Sequence, residues 1–115
     1  ARVTEGLAYY GQALLDVLFR SLGDPTRLLI LRHLARGEHK VVELTAHLGL
    51  PQSTVSTHLA CLRDCGLVNV RPQGRASVYS LAQQAETIDL LTAAERLLAV
   101  TGNAVELCPV YGHTP

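Results

Sequence analysis

Three cysteines are the residues of this 115-residue chain best placed to do chemistry: Cys61, Cys65 and Cys108. Cys61 and Cys65 stand four positions apart. On a helix that spacing puts two side chains on one face with Cβ atoms about 5–6 Å apart, so two thiolates could share one ion. Cys108 is the remaining cysteine and the obvious third ligand. Three thiolates favour soft, thiophilic ions. Cadmium and lead accept three-sulfur coordination, as does trivalent arsenic. Zinc prefers four ligands and would need a water, His113 or another group.

Two other uses of these thiols compete with metal capture. Cysteines also serve as inert, buried small hydrophobes, and a close pair can oxidise to a disulfide or react with an oxidant. A small odd number of cysteines with no visible signal peptide points to free thiols in a reducing cytoplasm rather than to a disulfide framework. A thiol enzyme is a poor reading. There is no Cys-x-x-Cys, no thiol at a strand-to-helix turn and no paired acid–base constellation.

The elements that must position the cysteines are legible from periodicity and punctuation. Leu7, Tyr10, Leu14, Val17, Leu18 and Leu22 predict a helix over residues 5–22 that Gly23 ends. Asp24-Pro25-Thr26 is a start signal, because Asp can accept free N–H groups of the new helix and Pro at its first position loses no needed donor. That second helix is predicted to reach Arg36, with Gly37 as its stop. Residues 41–48 read as a short third helix, and Gly49-Leu50-Pro51-Gln52 as a break of about one turn. A fourth helix is predicted from Gln52 or Ser53 to Cys65, with Val55, Leu59 and Leu62 on its buried side. Both cysteines then border the core rather than fill it, about a quarter-turn to one side. Gly66 closes the helix in the left-handed conformation. Leu67–Arg71 and Ala76–Leu81 read as strands joined by the turn Pro72-Gln73-Gly74-Arg75. A last helix is predicted over Gln83–Thr101, followed by a tail without clear period.

A short helix, a Gly-containing turn and a polar-fronted helix make a helix-turn-helix, and the hairpin that follows is its wing. The fourth helix begins Gln52-Ser53-Thr54-Val55-Ser56-Thr57-His58. Gln52, Ser53, Thr54, Ser56, Thr57 and His58 can hydrogen-bond to base edges and phosphates in a major groove. Arg75 at the wing tip is placed for phosphate or the minor groove. Net charge is zero, but its distribution is uneven. Residues 27–75 hold seven basic and three acidic groups, between two flanks that are each net acidic. Such a basic middle is a modest footprint for double-stranded DNA. The fold class expected is a mainly α winged helix with a β-hairpin.

Bulk properties bound the rest. A chain this short folding alone buries only about two-thirds of its unfolded surface, yet 48% of its residues are hydrophobic. Dimerisation would hide the excess. No apolar run is long enough to span a membrane.

Several separated motifs resemble the ArsR/SmtB family of metal-responsive repressors: Asp24-Pro25-Thr26-Arg27, Leu44-Thr45-Ala46-His47-Leu48-Gly49-Leu50, Val55-Ser56-Thr57-His58-Leu59, Gly66-Leu67-Val68 and Gly74-Arg75 with Tyr79. The resemblance covers about residues 15–100. It implies a homodimeric winged helix, paired through its first and last helices, that occupies an operator when metal-free and releases it on binding an inducer. The stretch His58 to Val68 is similar to the cadmium/lead-sensing branch, which joins two recognition-helix cysteines to one tail cysteine of the other subunit. Carried over, Cys61, Cys65 and Cys108 would be the ligands and Cd(II) or Pb(II) the inducer, with As(III) or Zn(II) as alternatives. Residues 1–103 would form the DNA-binding and dimerisation domain and 104–115 the ligand-bearing tail.

Departures from other branches narrow the reading. The last helix offers Glu86, Asp89 and Glu95 but no histidine for a site like that of the zinc, nickel or cobalt sensors. The third helix lacks the cysteine pair of another, arsenic-sensing branch. His33, His39 and His47 read as surface or capping groups rather than ligands.

Overall fold

The computed structural model describes residues 2–102 and 104, with side chains from residue 11 onward; Cys108, His113 and the other tail positions lie outside the described residues, as do the side chains of Leu7 and Tyr10. In chain order the elements are α1 (Arg2–Leu22), α2 (Pro25–Leu34), β1 (His39–Lys40), α3 (Val41–Leu48), α4 (Gln52–Asp64), β2 (Val68–Gln73), β3 (Ala76–Leu81) and α5 (Gln84–Thr101). Contacts group them into two units, residues 1–83 and a second beginning at Gln84.

The first unit has one core. Ile30, Leu31 and Leu34 of α2, Leu44 of α3 and Val55, Leu59 and Leu62 of α4 are buried, and Val68, Val78 and Leu81 close the core from the sheet. The predicted buried side of the fourth helix is the observed one. The α1 periodicity has a different outcome. Among its described side chains the apolar stripe stays largely exposed, with Leu14 68% and Val17 55% exposed and Leu22 buried. On α5, Leu97 and Val100 are likewise exposed.

Local chemistry explains the boundaries. The Arg27 backbone N–H donates to Asp24 Oδ2 at 3.0 Å, and Pro25 occupies the first turn of α2, as the start signal predicts. That bond, aided by the charges of His58 and Arg27 and opposed by partial burial, holds the Asp24 carboxyl below its ordinary value. A carboxylate with a lowered folded-state pKa contributes stability above about pH 4 and loses it as pH falls through the folded value. Asp24→Ala is expected to cost about 1 kcal/mol at pH 7, read as a lower urea midpoint, with the gap to wild type closing in acid. α2 ends at Leu34, two residues before the predicted Arg36, as the chain turns toward Gly37.

The end of α4 is a Schellman motif. Gly66 is left-handed at φ +76°, its N–H donates to the Arg63 carbonyl, and the Leu67 N–H donates to the Leu62 carbonyl. This makes Cys65 the capping residue of the helix.

The hairpin differs from its sequence reading in two respects. Its strands extend to Gln73 and start again at Ala76, so the turn is only Gly74-Arg75, and Pro72 pairs with Ser77 inside β2. Proline is tolerated there because β2 is an edge strand in the order β1-β3-β2. Gly74 takes φ +63° and no described non-glycine residue has positive φ, which suits a two-residue hairpin with glycine first. The second difference is β1, which the sequence reading missed. It pairs His39 with Tyr79 and Lys40 with Val78, making the sheet three-stranded. Two residues are too few to show a period of two; the partner strand makes β1 a strand.

Candidate functional site

The turn between α3 and α4 is built by Gly49, left-handed at φ +65°, and by the extended Pro51 that precedes α4. The Gly49 N–H donates to the Thr45 carbonyl and the Val55 N–H to the Pro51 carbonyl. Leu44, Val55 and Leu59 lock the two helices onto the core. Proline carries no side-chain acceptor, and no side chain caps α4. The free amide groups of its first turn are therefore left to an external acceptor such as phosphate.

Gln52, Ser53, Thr54, Ser56 and Thr57 are all exposed around that first turn. The Thr57 hydroxyl donates to the Ser53 carbonyl at 2.9 Å, which leaves its oxygen as an acceptor for an outside donor. His58 is placed differently from the other five. It is half-buried and turned back toward α2, with Nδ1 3.8 Å from Asp24 Oδ2 and 3.5 Å from Arg27 Nη1. Its role in the structure is to tie α4 to the start of α2.

Two of the basic residues counted in the sequence already have partners within the chain. Arg27 donates through Nε to the Ser21 carbonyl and through Nη2 to the Arg20 carbonyl at 3.2 Å. A cation there complements the C-terminal end of α1. Arg71 pairs with Glu38. Arg75 is exposed at the wing tip. Sequence reasoning missed the Asp24–Arg27–His58 cluster because His58 lies thirty-one positions from Arg27; the Asp24 cap was the only visible part of it.

At the other end of α4, Cys61 is half-buried and Cys65 exposed, both as free thiols. The Cys65 N–H donates to the Cys61 carbonyl at 3.0 Å, so the pair is one helical turn apart on a continuous helix. Among the described residues, no group of three His, Cys, Asp or Glu side chains is already arranged to hold a metal ion. Cys61 and Cys65 fit a thiophilic ion as two of its ligands, and Cys108 lies outside the described residues. No described helix is long and apolar enough to cross a membrane.

Comparison with known proteins bears on this arrangement. The profile of a family described as "Bacterial regulatory protein, arsR family" matches residues 24–70. A probable mercury resistance operon repressor of Streptomyces lividans is 41% identical over 90 residues, covering 78% of this chain and 71% of that protein. The transcriptional regulator CmtR of Mycobacterium tuberculosis is 52% identical over 65 residues, and the match spans 56% of this chain and 55% of CmtR. Among solved structures, reduced HlyU from Vibrio cholerae superposes with a TM-score of 0.70 at 36% identity, covering 78% of this chain and 94% of that one.

Proposed function

This chain belongs to the arsR family of bacterial regulatory proteins, and on that premise we propose that it is a repressor that grips operator DNA as a homodimer and lets go when Cys61, Cys65 and Cys108 capture a soft metal ion. It is a DNA-binding regulator with a winged helix-turn-helix, not an enzyme. The finer reading is cadmium or lead as the inducer, with trivalent arsenic or zinc as the alternatives, acting in the cytoplasm where the operator is.

One observation carries the reading: a single helix bears exposed hydrogen-bonding side chains at its uncapped start and two free thiols one turn apart at its end. A change in how the thiols are held is felt by the element offered to the groove. Capture requires Cys61 and Cys65 to lose their protons and turn toward one another. Cys108 would bring residues 104–115 to the end of α4. That tether would reset the helix or the spacing of the two half-sites. The uncovered apolar residues of α1 and of α5 support pairing with a second copy. The relative from Streptomyces lividans is named for mercury, so mercury joins the ions to be compared.

The test uses a duplex selected by the full-length protein from a random pool. Saturating cadmium is expected to weaken binding by about 5–150-fold, the usual span of a coupling free energy of this kind. Unchanged affinity would end the proposal. A second reading, thiol oxidation, is favoured by the exposure of Cys65 beside Cys61. It requires peroxide to remove two titratable thiols and release DNA with no metal present.

The wing supplies a separate expectation. Arg75→Ala should weaken DNA binding nearly uniformly across sequences and lower the salt-dependence slope by about 1, because a phosphate contact carries charge rather than sequence information. Arg71→Ala serves as the comparison, since that guanidinium is already paired with Glu38. Binding measured from low to moderate salt separates the two.

A further inference from the structure

His33 in α2, His39 in β1 and His47 in α3 stand in three different elements at spacings with no motif meaning. Folding gathers them. The ring centroids of His33 and His47 are 5.1 Å apart, those of His39 and His47 5.7 Å, and those of His33 and His39 6.2 Å. We propose that these three imidazoles are a second metal site, separate from the thiols, that takes a borderline divalent ion such as zinc.

The proximity of the rings and their hydrogen bonding support the site. With zinc–nitrogen bonds of about 2.0–2.1 Å, a tetrahedral ion holds the centroids of two imidazole ligands about 5 Å apart. Two of the three observed separations lie close to that distance, and the third must close by about 1 Å. Nδ1 of His33 lies 2.9 Å from the Leu29 carbonyl oxygen, and Nδ1 of His39 lies 2.8 Å from the Gly37 carbonyl oxygen. A carbonyl only accepts, so Nδ1 is the donor in each, and in the neutral ring Nε2 keeps its lone pair for a ligand. A backbone carbonyl holding the non-ligating N–H of an imidazole is the usual outer shell of a histidine–metal bond. In their present positions the three side chains do not form a group able to hold a metal ion, so binding requires a ring to turn, and His47 is exposed on α3.

Imidazole donors suit zinc, nickel and copper(II), whereas thiolates take zinc and softer ions, so zinc binding at the imidazoles is read in a chain without its thiols. A bound ion would join α2 and α3 to β1, which is paired with β3 of the wing. It would brace the helix-turn-helix against its wing from the side opposite in sequence to the cysteines. The proposal does not depend on the inducer reading, because its donors are disjoint from Cys61, Cys65 and Cys108.

The decisive experiment uses the full chain carrying Cys61→Ser, Cys65→Ser and Cys108→Ser, dialysed to equilibrium against zinc with a competing chelator. One zinc per chain is expected to bind, and His47→Gln or His33→Gln in that background should weaken it roughly tenfold or more. His47 is exposed, so its glutamine variant keeps the fold, as circular dichroism will confirm. In nitrogen NMR of the imidazoles, zinc should move Nε2 of His33 and His39 while each Nδ1 stays protonated. Absence of stoichiometric zinc in the cysteine-free chain, or an affinity that both glutamine variants leave unchanged, would overturn the site.

Discussion

Cys61→Ser and Cys65→Ser are each expected to abolish the loss of operator affinity on adding cadmium while leaving metal-free binding within a few-fold of wild type. The second half of that expectation follows from position. Both thiols are at the far end of α4 from the side chains proposed to meet DNA, and neither belongs to the buried set Val55, Leu59 and Leu62. Serine keeps the volume and the helix but replaces a polarisable thiolate with a hydroxyl that stays protonated at neutral pH and binds soft ions poorly. Outer-shell losses at metal sites already cost about 10–100-fold in affinity, and a lost ligand should exceed that. Titration of each variant with cadmium, read by the thiolate-to-metal charge-transfer band and by DNA anisotropy, checks both halves. Retention of full cadmium response in either variant would remove that cysteine from the site. Cys108→Ser tests the tail in the same assay, and mixed dimers lacking Cys108 in one subunit and Cys61 in the other tell whether the tail serves its own chain or its partner.

Leu59→Ala should cost about 2–5 kcal/mol of stability, the range for truncating a buried leucine. Leu59 is fully buried near the middle of α4, one of the residues of the core. A native domain has only about 5–15 kcal/mol to lose. The variant should therefore show a greatly lowered unfolding midpoint and weak DNA binding that cadmium does not explain. Urea denaturation of the metal-free protein measures the cost. A loss under 1 kcal/mol would mean that α4 repacks around the void, contrary to a recognition helix held rigidly by its core. Set beside the cysteine variants, it separates damage to the scaffold from damage to the response.

The contrast between α1 and α4 shows how legible the fold was. Both carry leucines and valines at helical spacing, and both are helices. On α4 the apolar side is buried; on α1 most of the described apolar side chains are not. Periodicity reports that a face is apolar and says nothing of what covers it. The Asp24 cap, the left-handed Gly66 and the one-turn spacing of Cys61 and Cys65 were readable because each depends on residues within a few positions of one another.

From the residue order alone came the helix-turn-helix, the wing and the thiol pair on the recognition helix, since short-range sterics and hydrogen bonds fix such features. Tertiary structure decided the rest. It made a strand of His39–Lys40 by supplying β3 as a partner, placed His58 beside Asp24 and Arg27, paired Arg71 with Glu38, and collected His33, His39 and His47 from three elements. Those pairings join positions too far apart in the chain for local propensity to encode; they exist only because packing the apolar core brings the surfaces above it together.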